Sequence, residues 1–103
     1  MIQLVYSPCP SEACAKEIGA KLLEERLVAC VNILPGMRSL YRWEGKLCDE
    51  QESVLLAKTR SELAAQTQAR VAELHPYDCP CVLTLATTDA HPPFAQWIHD
   101  ETS

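Results

Sequence analysis

The chain opens on a short run rich in β-forming residues, Ile2-Gln3-Leu4-Val5-Tyr6. It predicts a strand that stops at Ser7-Pro8-Cys9-Pro10, where two prolines withhold backbone donors. Ser11 then reads as an N-cap, and Ala15, Ile18 and Leu22 recur at helical spacing with Lys16, Glu17, Lys21, Glu24 and Glu25 on other faces, predicting a helix to about Arg26. Residues 27–34 are almost continuously apolar, as suits a strand buried on both faces. Pro35-Gly36 bends it. From Met37 to Trp43 a period of two resumes, with Ser39, Tyr41 and Trp43 on one face and Arg38, Leu40 and Arg42 on the other.

Glu44-Gly45-Lys46 closes a hairpin, Gly45 supplying the positive φ of a tight turn. The return strand passes through Asp49-Glu50-Gln51-Glu52 and turns apolar at Val54-Leu55-Leu56-Ala57. Ser61 is the expected cap of a second helix, with Leu63, Thr67, Val71 and Leu74 in one stripe, ending at His75-Pro76. Residues 81–87 read as a fourth strand. A closing helix begins near Pro92-Pro93 with Phe94, Trp97 and Ile98 on one side. The order β-α-β-β-α-β plus a terminal helix predicts one α+β domain over residues 1–103, ferredoxin-like, with an antiparallel sheet and helices on one face.

The hairpin is too long for such a domain. Each arm extends on the order of 45 Å at ~3.3 Å per residue, against a radius of gyration of roughly 13 Å for a domain of this size. A projecting two-stranded ribbon is marginal alone and leaves unpaired edges, while Tyr41 and Trp43 resemble the rigid aromatic anchors of interfaces. Self-association, with each ribbon completing a neighbour's sheet, is the simplest resolution of both; the alternative is a hairpin folded back at Pro35-Gly36 with its aromatics buried in its own chain.

Composition narrows the function classes. The net charge of −5 and the lack of a basic stretch argue against nucleic acid as a partner. No apolar run approaches the ~20 residues of a membrane span, and residues 1–6 lack the features of a signal peptide, so the expected address is cytoplasmic. Six cysteines in a reducing compartment are expected as free thiols, Cys30 in the core and Cys48 exposed beside the turn. With three glycines, the chain has no dinucleotide or phosphate loop, nor any protease or hydrolase signature, and is not expected to be an enzyme.

Cys79-Pro80-Cys81 is the most suggestive local chemistry. Positions i and i+2 of an extended segment share a face, so two thiolates there offer a site to a soft ion such as Cu(I), with His75 or Cys9 as a third ligand, or else Cys81 begins a buried strand and Cys79 is an incidental loop thiol. Glu44, Asp49, Glu50 and Glu52 offer oxygens to a hard cation, or form a solvated ribbon face. Cys9 and Cys14 read as core or loop thiols. His91 and His99 stand alone.

Taken together, Ala29-Cys30-Val31-Asn32-Ile33, Pro35-Gly36, Ser39-Leu40-Tyr41, Trp43-Glu44-Gly45-Lys46, Glu50, Glu52, Lys58-Thr59, His75-Pro76-Tyr77, Pro80 and Trp97 resemble the CutA family of divalent-cation tolerance proteins. The resemblance implies a ferredoxin-like homotrimer that binds copper or another divalent metal ion. It also directs attention to an inter-subunit cleft of Tyr41, Trp43, Lys46, Glu50, Glu52, Lys58 and Tyr77. Some bacterial members carry a Cys at the end of strand one and paired His before the Pro-Tyr; here those places read Ser7 and Leu74-His75, and Cys81 stands where Glu is usual. The alternative reading is a trimeric regulatory module resembling PII-like proteins, binding a small anion or nucleotide through Lys46, Lys58, Arg60 and Tyr77.

Overall fold

The computed structural model describes all 103 residues, in the order β1 (Ile2–Cys9), α1 (Glu12–Glu24), β2 (Cys30–Trp43), β3 (Lys46–Arg60), α2 (Ser61–Leu74), β4 (Leu83–Ala86) and α3 (Pro92–Glu101). The strands form one sheet in the order β2-β3-β1-β4, antiparallel throughout. This is the expected ferredoxin-like α+β arrangement.

Alternation sorts the sheet into two faces. Val5, Leu55 and Ala57 turn toward α1 and α2 and join Ala15, Ile18, Leu22, Leu27, Val28 and Val71 in the main core. The opposite face carries Leu34, Leu83 and Leu85, all exposed. Helix α1 packs very close to β2: a Cβ built on Gly19 would lie 2.9 Å from Val31 Cγ2, so only glycine fits there without displacement. Ser11 caps α1 as expected, its Oγ accepting from the Cys14 N–H at 3.0 Å. The helix ends where Arg26 takes a left-handed φ of 57°.

Several boundaries differ from expectation. β1 does not stop at Tyr6 but runs to Cys9, with Pro8 paired to Val54. β4 pairs only with Gln3 to Tyr6, so beyond Tyr6 the strand has β3 alone as neighbour. The Pro8 carbonyl accepts from His75 on the open side, and an N–H at Pro8 would point the same way, so the proline costs the ladder nothing. Leu27, Val28 and Ala29 are buried but precede β2, whose Asn32 and Leu34 are exposed and whose Cys30 is only half-buried. β2 is an edge strand and the helices cover only one of its faces, so its apolar run is not enclosed on both. Cys48 is half-buried rather than exposed. Ser61 does not cap α2; Arg60 holds that position, and the Ser61 hydroxyl donates to the Met1 carbonyl at 3.0 Å. β4 is limited to Leu83–Ala86, because the Cys81 carbonyl is taken by the Ser7 hydroxyl at 2.8 Å instead of a ladder partner.

β2 stays continuous through Pro35-Gly36. Leu34 pairs with Val54 and Met37 with Glu52, so two residues oppose Ser53 alone: a β-bulge, with Gly36 at φ 78°. At the far end Trp43 pairs with Lys46 around Glu44 (φ 50°) and Gly45 (φ 78°), a two-residue turn with both central residues left-handed. The molecule measures 45 × 26 × 22 Å. The hairpin carries Leu40, Trp43 and Leu47 at 68%, 48% and 75% exposure, apolar side chains that its own domain does not cover.

The α1–β2 connection is held by one acceptor. The Leu27 carbonyl receives the buried Thr59 hydroxyl at 2.6 Å; the Thr67 hydroxyl, also buried, lies 3.3 Å away but gives its one proton to the Leu63 carbonyl at 2.8 Å. Thr59→Val is expected to cost about 1–3 kcal/mol in urea denaturation, because it leaves the buried Leu27 carbonyl without its donor, and Thr59→Ser less, because serine keeps the hydroxyl. Equal costs for Thr59→Val and Thr59→Ser would show that water reaches Leu27.

Candidate functional site

Past the bulge, the β2–β3 register sets Met37 opposite Glu52, Ser39 opposite Glu50 and Tyr41 opposite Cys48, each pair on a common face. That face is the one away from α1 and α2. It meets Tyr6 and Pro8 from β1 and the segment 76–81 that joins α2 to β4, and the three surround an open cleft of about 840 Å³. All three tyrosines of the chain, Tyr6, Tyr41 and Tyr77, line it together with Trp43.

His75 holds the loop side in place. Its Nε2 lies 2.8 Å from the Pro8 carbonyl, which can only accept, and its Nδ1 lies 3.2 Å from the Tyr77 backbone N–H, which can only donate. The neutral tautomer protonated on Nε2 satisfies both. The imidazole also packs on the Tyr77 ring, with centroids 4.6 Å apart. Tyr77 is thereby aimed into the cleft, where its hydroxyl donates to Glu52 Oε2 at 2.9 Å. Burial first, and then that bond, hold the Tyr77 phenol well above its usual range. The Tyr41 phenol is raised in the same way by partial burial and the Glu50 carboxylate, and the Cys81 thiol by burial and Glu52.

Glu52 is only 6% exposed. Buried carboxylates are normally paired with a cation, yet no ion pair of the chain includes Glu52, Glu50 or Asp78, the three acids that line the cleft. Arg38 reaches the rim, but its Nε is held by Asp49 at 2.9 Å. The cleft therefore presents negative charge and aromatic surface without an internal counter-ion.

The expected metal set is not assembled within the chain. Cys79 and Cys81 are exposed and both border the cleft. Both His75 nitrogens are engaged, and Cys9 lies fully buried in the core on the helix side. No three His, Cys, Asp or Glu side chains come close enough to hold one ion. Of the expected cleft residues, Tyr41, Trp43, Glu50, Glu52 and Tyr77 do line one cavity. Lys46 sits at the hairpin turn, and Lys58 Nζ lies 5.6 Å from the Phe94 ring centroid, outside that cavity. Tyr6, Met37 and Asp78 are among the further lining residues that were not anticipated; the register of β1 against β3 is the signal that brings Tyr6 there.

The Cys9 thiol, in contact with that of Cys14, is pushed up to about 12, by burial first and then by Cys14. Both Cys9 and Tyr77 are raised above their ordinary values of 9.0 and 10.0, so the fold favours their neutral forms. Their contribution to stability is complete below those values and declines as pH rises beyond them. Urea midpoints are expected to hold steady up to about pH 9 and then fall, with Cys9→Ala flattening the first part of the fall and Tyr77→Phe the part beginning near pH 10.

Residues 3–101 match the family model described as CutA1 divalent ion tolerance protein. The divalent-cation tolerance protein CutA of Thermus thermophilus is 39% identical over 102 residues, covering 99% of each chain. Protein CutA of Mus musculus is 36% identical over 101 residues, which span 98% of this chain and 57% of that protein. Among solved structures, CutA1 of Ehrlichia chaffeensis superposes with a TM-score of 0.95 at 34% identity, covering 99% of this chain and 95% of that one. The structure named as the periplasmic divalent cation tolerance protein CutA of Archaeoglobus fulgidus gives 0.95 at 35% identity, covering 100% of both.

Proposed function

The chain belongs to the CutA1 divalent ion tolerance family, and from that premise we propose that it is a cytoplasmic homotrimer that binds copper or another divalent cation, acting by binding and not by catalysis. The observation that carries this reading is the cleft itself: Glu50, Glu52 and Asp78 lie uncompensated beside the thiols of Cys79 and Cys81. Carboxylates suit hard cations and thiolates soft ones, so a set with both types favours a borderline divalent ion. Since one chain does not bring three such donors together, a tight site draws ligands from more than one copy. Metal binding and assembly are then a single event.

Two features support the trimer. The sheet face opposite the helices leaves Leu34, Leu83 and Leu85 uncovered, and the hairpin projects with Leu40, Trp43 and Leu47 exposed. Closed association buries both and pairs the free edges of β2 and β4. The anion-binding alternative is less supported, because its contacts are not gathered in the cleft: Lys46 sits at the hairpin turn, Lys58 lies by Phe94, Arg60 is held by Thr102 at 3.1 and 3.0 Å, and the Tyr77 hydroxyl is given to a carboxylate. The six free thiols favour a reducing, cytoplasmic setting.

Native mass spectrometry is expected to give three copies with bound metal after addition of Cu(II) or Zn(II). In calorimetric titrations the variant Cys79→Ser with Cys81→Ser, and separately Asp78→Asn, should each weaken metal affinity by at least about tenfold. A monomeric mass, or variants that bind metal as the parent does, would overturn the proposal.

A further inference from the structure

One pair of reactive groups lies away from the cleft, the hairpin and the bare sheet face. Cys9 ends β1 and Cys14 stands in the first turn of α1, with only Pro10, Ser11, Glu12 and Ala13 between them. Both belong to the helix side of the sheet, opposite Leu34, Leu83 and Leu85. The two thiols touch: Cys14 packs against the core cluster that contains Cys9, and the side chains are within hydrogen-bonding reach of each other. Their access to solvent differs. Cys9 is fully buried, its Sγ 3.6 Å from the Ser7 carbonyl, whereas Cys14 is half-buried.

Two sulfurs already in contact need only a short further approach to bond at roughly 2.0 Å. The Cys14 N–H is held by the Ser11 side chain at 3.0 Å and not by the helix ladder, which leaves that first turn room to adjust. We propose that Cys9 and Cys14 form a dithiol–disulfide site, oxidised by exchange with a low-molecular-weight disulfide of the glutathione class. The loop so closed is short and Cys9 is flanked by Pro8 and Pro10, so the bond takes little entropy from the unfolded chain and adds little stability. It suits a reversible site better than a structural staple.

Access assigns the two roles. Cys14 loses its proton to solvent and attacks one sulfur of the small disulfide; that S–S bond breaks, the first small thiolate leaves and takes up a proton, and a mixed disulfide remains on Cys14. Cys9 then bonds to the Cys14 sulfur, the mixed bond breaks, and the second small thiol leaves with the Cys9 proton. Two protein thiols are oxidised to one disulfide while one small disulfide is reduced to two thiols. Burial pushes the Cys9 thiol up to about 12, and burial followed by Glu17 raises that of Cys14, so thiolate is scarce at neutral pH and the exchange quickens as pH rises. Neither metal binding nor a particular number of subunits enters this inference.

The test incubates the reduced, full-length protein with glutathione disulfide at about pH 8, where more thiolate is available, then quenches in acid, alkylates and digests with trypsin. The tryptic fragment of residues 1–16 contains Cys9 and Cys14 and no other cysteine. It is expected two hydrogens lighter and free of alkyl groups, and to regain both thiols on treatment with dithiothreitol. Cys9→Ala should trap glutathione on Cys14. In Cys14→Ser, Cys9 should react at least about tenfold more slowly than the parent crosslinks, because the proximal partner is gone. A fragment alkylated at both thiols while exposed Cys79 and Cys81 take up glutathione would overturn the proposal. So would a Cys9→Ala fragment without the adduct, or Cys9 reacting in Cys14→Ser as fast as the parent crosslinks. Cys14 is at the surface of the helix layer, so the Cys14→Ser comparison decides the matter even if Cys9→Ala fails to fold.

Discussion

Everything in this fold hangs on β3, which runs for 15 residues with β2 beside it almost throughout, while β1 flanks only its second half. Its second half lies between β2 and β1 and is backed by α1 and α2, so Leu55, Ala57 and Thr59 are fully buried. Its first half has only β2 as a neighbour and no helix behind it. The same ladder is therefore the centre of a core at one end and a bare ribbon at the other. The cleft forms at the changeover, where Glu52 is still sheltered by Pro8 and Tyr77 and Glu50 has begun to emerge.

That position explains the electrostatics. A carboxylate deep in the core would be neutralised or paired, and one on the ribbon would be solvated. Glu52 sits between, held by a single phenol whose backbone is pinned by a neutral histidine. His75 is thus a positioning group: it ties the end of β1 to the loop after α2 and aims Tyr77, although its type and place in the sequence suggest a metal ligand.

The sequence made the element order, the antiparallel sheet and the hairpin turn legible, because each follows from local periodicity or from a turn residue. What it hid depended on a third partner. Pro8 reads as a strand breaker until β4 is seen to end at Tyr6, and Ser61 reads as a cap until Met1 is seen to offer it a carbonyl. The continuous apolar run at residues 27–34 suggested burial on both faces, but no pattern along one chain reveals which side of an edge strand stays bare. Within the site, the aromatic and acidic residues were readable because they share a strand face. The thiol set was not, since the rule that i and i+2 point together holds in a strand and Cys79 and Cys81 precede β4.

The bulge at Pro35-Gly36 acts as a change of phase. Before it, Val31 and Ile33 point to the helices; after it, Met37, Ser39, Tyr41 and Trp43, odd-numbered like them, pair with Glu52, Glu50, Cys48 and Lys46 on the opposite side. One extra residue has exchanged inside for outside. Without it, Tyr41 and Trp43 would fall on the helix side of the sheet and Glu50 would lose Tyr41 as a diagonal cross-strand neighbour. The hairpin consequently tolerates changes of length by parity: two residues added beyond the bulge lengthen the arm and keep its faces, whereas one residue removed from the bulge turns the β2 side of the cleft over.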